Sequence, residues 1–137
     1  MITLEQYVGP HAKHADWTPE RQANAADLLK RINPLLVDAE NDGVVVRRNP
    51  ATTSQISGSG LGGFRPLGTT IGAEKSTHKQ GNGIDLFDPS KTFKEWCMAN
   101  LDKLEKHGLW MEHPDATPTW AHLQRIPPKS GNRVYRP

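Results

Sequence analysis

Apolar positions recur at helical spacing in two stretches of this chain. Ala25, Leu28, Leu29, Ile32, Leu35 and Leu36 form one stripe at intervals of three and four. Thr18-Pro19-Glu20 stands just before it, giving a hydroxyl for the cap, a proline suited to the first turn and an acid for the positive end. A helix is predicted from there, kinked or ended near Asn33 by Pro34. The second stripe is Phe93, Trp96, Cys97, Leu101 and Leu104. It opens at Asp88-Pro89 and stops at Gly108, after Lys103 and Lys106. Val44-Val45-Val46, behind Asp42-Gly43, reads as a strand. Residues 84–87, 109–112 and 120–126 read as further strands, the last two separated by a loop with Pro114 and Pro118. Alternation on the last strand puts Trp120, His122 and Gln124 on one face and Ala121, Leu123 and Arg125 on the other. Residues 50–63 are rich in Thr, Ser and Gly and read as a loop. Beyond Ile126, Pro127-Pro128 and Ser130-Gly131 predict an extended, loosely held end. No internal repeat is visible.

Size and composition narrow the classes. The chain has 137 residues, which is one domain, 1–137, large enough to bury a core without staples. Hydrophobic residues make up 35% and charged residues 23%, a globular balance. A net charge of +2 gives no case for nucleic acid as a partner. The charge is uneven, because Arg125, Lys129, Arg133 and Arg136 follow the last acid, Asp115. That end reads first as a solvated basic tail and second as a segment drawn to an anionic polymer or envelope. Cys97 is the single cysteine, falls on the apolar side of the second helix and reads as a small core residue. The first residues lack the basic start and apolar run of a signal peptide, and no stretch approaches the ~18 apolar residues of a membrane span. The expectation is a soluble protein made in the cytoplasm, acting elsewhere only if something delivers it.

The chemistry concentrates in Ser76-Thr77-His78-Lys79-Gln80-Gly81-Asn82-Gly83-Ile84-Asp85, together with Trp120-Ala121-His122. His78 and Asp85 stand seven residues apart across a turn that Gly81 and Gly83 allow to be tight. A loop histidine and a strand aspartate can then meet one ion, with His122 arriving on another strand. Two imidazoles and one carboxylate are a zinc set that leaves a fourth position open, as catalytic zinc requires. Either His78 or Asp85 alone would be an incidental polar residue; the whole spacing with a third histidine favours zinc.

Ser76-x-His78-x-x-Gly81-x-Gly83-x-Asp85 resembles the S-x-H-x-x-G-x-A-x-D signature of the D-alanyl-D-alanine carboxypeptidase/hedgehog-like zinc peptidases, with Gly83 in place of alanine. Trp120-Ala121-His122 is similar to the family's aromatic before its third zinc histidine, and Gly62-Gly63-Phe64-Arg65-Pro66 to its Ser/Gly-Gly-aromatic-Arg-Pro element. The helix with Asn24, Leu28-Leu29, Asn33 and Leu36 resembles helices of phage-encoded members, so the likeness spans residues 3–126. It implies zinc held by His78, Asp85 and His122, and Arg65 as the cation that steadies the oxyanion of peptide hydrolysis. It implies an α+β fold in which a small antiparallel sheet carries the zinc ligands and two helices cover one face. The implied substrate is the peptide stem of bacterial peptidoglycan, cut either at D-Ala-D-Ala ends or at L-alanyl-D-glutamate bonds. A phage lysin released by a holin, or a virion component, acting as a monomer, would suit such a chain.

One departure stands out. Many relatives place a catalytic acid three residues before the third histidine, where this chain has Thr119. The nearest carboxylates are Glu112 and Asp115, ten and seven residues before His122. Glu112, ending a strand, is the favoured general base; Asp115 is the alternative, with His113 as an outside candidate. Thr119 also supports a rival, a non-catalytic zinc-binding module in a phage tail or cell-wall-binding part. Gly58-x-Gly60-x-x-Gly63 fits a dinucleotide-binding pattern, but Pro66 follows it and no βαβ unit frames it. His11 and His14 read as solvated, and His107 as a helix-end imidazole. Trp17, Trp96 and Trp110 read as core or edge aromatics, and Trp120 as either core or groove wall.

Overall fold

A computed structural model of the chain describes residues 1–72 and 75–137. The elements run α1 (Leu4–Val8), α2 (Pro19–Asn41), β1 (Gly83–Phe87), α3 (Thr92–Ala99), α4 (Leu101–Lys106), β2 (Trp110–Glu112), β3 (Trp120–Gln124) and β4 (Val134–Tyr135). Short 3-10 turns lie at Gly9–His11, Thr77–Gln80 and Pro114–Ala116. The architecture is α+β, a four-stranded sheet in the order β1-β3-β2-β4 packed against helices. β3 pairs antiparallel with β1 and β2, whereas β4 runs parallel to β2. The sheet is therefore mixed rather than purely antiparallel. Residues 134–135 supply the parallel edge, from a terminus that the Pro and Gly content predicts to be loose. Two residues are too few to show a period, so this strand carries no sequence signature.

Strand alternation divides the sheet into a core face and a site face. Ile84, Leu86, Met111, Ala121 and Leu123 are all fully buried. They join the stripe of α2 and the side chains of Phe93, Trp96, Cys97 and Leu104 in one continuous core. The register pairs Asp85 with His122 and Gly83 with Gln124, so these face the opposite side. Trp110 pairs with Gln124, which places Trp110 and Glu112, two residues on, on that same face.

The predicted start of α2 holds: Thr18 caps it, its hydroxyl accepting from Arg21 N at 3.3 Å. Its end does not. The helix runs through Pro34 to Asn41. Pro34 and Lys30, whose carbonyl it deprives of a donor, both lie on the exposed side, where water can satisfy that oxygen. Leu35, Leu36 and Ala39 are buried beyond it. Burying each leucine contributes roughly 1.5–3 kcal/mol, enough together to offset the ~3 kcal/mol an interior proline costs.

Three further expectations change. Val44-Val45-Val46 is extended but pairs with no strand among the described residues; Val46 is buried, held by Gln55 Nε2 donating to its carbonyl at 2.7 Å, while Val45 is exposed. The helix expected from Asp88 begins at Thr92, although Asp88 still serves its start by accepting from Phe93 N and Lys94 N at 3.1 and 2.9 Å. It breaks at Asn100 into α3 and α4, and the break turns Leu101 outward, off the buried face. Cys97 is buried in the core, its thiol pushed up by burial. His107 does more than close a helix: its Nε2 meets Asp38 Oδ2 at 2.6 Å and joins α4 to α2. His11 is half-buried against Gly60 O at 2.9 Å and the Phe64 ring, leaving His14 as the more exposed of that pair. Among the described residues no helix is long and apolar enough to cross a membrane.

Candidate metal centre

Asp85 and His122 are direct partners across the β1–β3 ladder, so the sheet itself brings them together. His122 Nδ1 lies 2.8 Å from Asp85 Oδ1. His78 enters from the Thr77–Gln80 turn and places Nε2 3.2 Å from the same oxygen. The ligand atoms of the three residues all lie within 4.8 Å of one another, and all three residues are buried. Tetrahedral ligands about 2.1 Å from a zinc ion stand on the order of 3.4 Å apart, so this set fits one ion with small adjustments.

The far nitrogen of each imidazole settles how it faces the centre. His78 Nδ1 sits 2.8 Å from Gly63 O, an obligate acceptor, and so carries the proton and leaves Nε2 as a lone pair. His122 Nε2 sits 3.0 Å from Gln124 Oε1, an acceptor that can hold its proton when Nδ1 faces an ion. Gln124 is oriented by its own amide, whose Nε2 donates to Ile126 O at 2.9 Å. The two histidines thus turn opposite ring nitrogens to the centre, His78 Nε2 and His122 Nδ1, each with an outer acceptor of the kind that supports metal ligands. The buried group His78–Asp85–His122 can hold a metal ion.

Glycines make the approach possible. A side chain at Gly63 would strike Tyr7 O at 1.9 Å, and one at Gly62 would strike Ser57 O at 1.7 Å. Those close approaches hold the strip carrying the Gly63 carbonyl, with Asp85 N donating to Gly62 O at 2.7 Å. Gly81 adopts a φ of 75° at the end of the histidine turn, where a Cβ would meet Arg21 O at 2.5 Å. At Gly83 a Cβ would lie 2.3 Å from Thr77 Oγ1 and 2.9 Å from His122 Cε1. Gly83 is therefore matched to Thr77 beside the cluster.

Arg65 is nearly buried, with Nη2 3.2 Å from Asp85 Oδ2 and Nε donating to Leu61 O at 2.6 Å. Burial alone would raise the Asp85 carboxyl, but His78 and His122 outweigh it and hold it far below the usual range. Burial pushes His78 down. It acts the same way on His122, where the bond to Asp85 prevails and the net shift is upward.

A cavity of about 730 Å³ opens over the cluster. Arg65, His78, Asp85 and His122 lie at it together with Glu112, Trp120 and Gln124, and the C-terminal segment adds Lys129, Tyr135 and Arg136. Trp120 is thus a wall of the cavity. Glu112 is half-buried there, its carboxyl raised by burial and by the charge of Asp85, against the opposing pull of His122 and Arg65. Asp115 lies elsewhere, on the exposed turn after β2, bonded to Arg136 Nη2 at 3.3 Å. His113 sits on that turn too, its Nδ1 accepting from Asp115 N at 3.1 Å. Thr119 is exposed outside the cavity, its carbonyl accepting from Asp88 N at 3.1 Å. The structure brings Glu112, and not Asp115, into the space that holds His78, Asp85, His122 and Arg65.

Sequence reasoning missed Thr77, the Gly63 carbonyl, the part played by Gln124, and Tyr135. Only Gln124 left a trace, through its position two residues from His122 on the same face. Tyr135 reaches the site by a strand pairing that nothing near it in the sequence announces. No protein-family model, curated protein or solved structure matches the chain.

Proposed function

We propose that this chain is a zinc-dependent peptidase of the D-alanyl-D-alanine carboxypeptidase/hedgehog-like kind, acting on the peptide stems of bacterial peptidoglycan. The observation that carries the reading is the buried His78–Asp85–His122 group, each imidazole with an outer acceptor at its far nitrogen, in one cavity with a raised carboxyl and a guanidinium. A structural site would close around its ion; this one faces a cavity of about 730 Å³, large enough for a peptide segment.

His78, Asp85 and His122 would hold the ion, which supplies Lewis-acid chemistry, acidifying water and polarising a carbonyl. The chain's own groups then divide the work. Glu112 accepts the proton of the attacking water, and its raised pKa brings it nearer to the value that suits acid–base work at neutral pH. The same carboxylic acid can return that proton to the departing amine. Arg65 is pinned by Leu61 O and Asp85, which aims its guanidinium at the centre without further reorganisation. It stabilises the developing oxyanion in a site sheltered from water. Trp120 and Tyr135 flank the peptide. Delivery by a lysis system or as a virion component suits this activity.

The test is mass spectrometry of purified peptidoglycan incubated with zinc-loaded protein, with and without a chelator. New peptide termini that vanish with chelator and return with zinc support the reading. An unchanged digest in a preparation that carries zinc transfers the site to a non-catalytic zinc-binding module.

A further inference from the structure

We propose that Gln124 and Tyr135 position His122 as a metal ligand through Nδ1, so that the C-terminal strand β4 is part of the centre's support; the inference rests on the metal-site reading above. Three contacts around Gln124 carry it. Its Nε2 donates to Ile126 O at 2.9 Å, which turns its Oε1 toward His122. That oxygen accepts from His122 Nε2 at 3.0 Å and from Tyr135 Oη at 2.6 Å. A carbonyl oxygen has two lone pairs, and both are used here. Thr77 Oγ1, 3.4 Å from His122 Nε2, is the other polar neighbour and the weaker one.

The arrangement has a direct chemical result. A free histidine can carry its proton on either nitrogen. An acceptor at Nε2 that cannot turn away would keep the proton there when an ion replaces the proton at Nδ1, the nitrogen 2.8 Å from Asp85 Oδ1. Tyr135 holds the acceptor in place, and burial keeps its hydroxyl protonated and able to donate, raising its pKa above the ordinary tyrosine value. β4 lies two strands from β3 in the sheet order, beyond β2, so the Tyr135 side chain makes by one hydrogen bond a link that the ladder does not.

The test compares zinc affinity, by chelator competition, in wild type, Gln124→Leu, Gln124→Glu and Tyr135→Phe. Histidine tautomers are read in parallel in the zinc-loaded proteins by long-range proton–nitrogen NMR. Gln124→Leu should bind zinc roughly 10–100-fold more weakly, the usual cost of losing an outer partner of a ligand histidine. His122 should then leave the Nε2–H tautomer while His78, held by Gly63 O, keeps its Nδ1–H form. Gln124→Glu still offers an acceptor and should retain affinity. Tyr135→Phe should fall between, and together with Gln124→Glu it decides the matter if Gln124→Leu does not fold. Wild-type affinity in both Gln124→Leu and Tyr135→Phe overturns the inference and leaves the metal site standing. Equal losses in Gln124→Leu and Gln124→Glu overturn it too, by showing that packing rather than the acceptor matters. A wild-type protein that binds no zinc overturns both readings.

Discussion

The floor and the wall of the cavity are built on different principles. On the floor, His78, Asp85, His122 and Arg65 are buried, and each is tied by a second bond: to Gly63 O, to the β1–β3 ladder, to Gln124 and to Leu61 O. On the wall, Glu112, Trp120 and Tyr135 are half-exposed, and Arg136 is open to solvent. Preorganised, desolvated groups suit the binding of an ion, where small displacements are costly. Partly solvated groups suit a proton carrier and a surface that must admit substrate. Under the proposed function, the contrast gives metal retention to the floor, and turnover and substrate contact to the wall.

The sharpest way to break that division is through the carboxylates. Glu112→Gln should keep its zinc and lose roughly 10²–10⁴-fold in cleavage of a defined muropeptide, the range for a general base. Asp115→Asn should keep both, because Asp115 is an exposed partner of Arg136. Paired zinc analysis and kinetics check this, and a dead Asp115 variant would move the base. The sign of the Glu112 shift gives a second readout. Its folded pKa is raised, so between the ordinary value of about 4.3 and the folded value the folded chain binds more protons than the unfolded one, and stability falls as pH rises. Glu112→Gln should therefore leave the metal-free protein as stable at neutral pH, or more so, by thermal melting. The acid limb of wild-type kcat/KM should lie above the pH at which an ordinary glutamate ionises.

Arg65 joins the two regions, since it is held by the floor but would serve the proposed reaction. Arg65→Lys should bind zinc and lose roughly 10²–10³-fold in turnover, because an ammonium cannot reproduce the planar fork. Near-normal turnover on muropeptides would remove Arg65 from the chemistry.

Gly83 tests how tightly the floor is packed. Gly83→Ala should cost about 1–3 kcal/mol in denaturant unfolding, since its new methyl group meets Thr77 Oγ1 and His122 Cε1. Adding Thr77→Ala should return part of that loss, a non-additivity that only contact produces. Strict additivity would show that the two side chains do not collide.

The floor was legible in the sequence because its parts are local or periodic. The His78-to-Asp85 interval and the Trp120/His122/Gln124 alternation both translate directly into positions on a turn and a strand. The wall was legible at Glu112 and, as one of two readings, at Trp120. Tyr135 comes from a two-residue parallel strand, and β4 depends on pairing with β2 rather than on any pattern of its own. The helices divide in the same way. The stripe of α2 revealed its face, but whether Pro34 would end it depended on how much apolar surface lay beyond. The break between α3 and α4 at Asn100 was hidden by a stripe that looked continuous through Leu101. Val44-Val45-Val46 has strand composition without a partner, which composition cannot supply.

The smallest effect is expected far from both regions. His107 bonds Asp38, and that hydrogen bond is the main reason the Asp38 carboxyl lies below its usual range. A depressed carboxyl adds stability above its unfolded pKa of about 3.9 and loses it as pH falls through the folded value. Asp38→Asn should lower stability near neutrality by less than about 1 kcal/mol, flatten the acid side of the stability profile, and leave zinc content and turnover unchanged. Altered zinc content in this variant would contradict the isolation of floor from scaffold.

The most direct measurement of the central claim is the zinc stoichiometry of wild type and His78→Ala, each stripped of metal, reloaded and analysed side by side. The account predicts one tightly held zinc per wild-type chain and loss of that stoichiometric zinc in the variant, with the fold retained by circular dichroism. A wild type that holds no zinc, or a His78→Ala protein that holds as much as wild type, would contradict it.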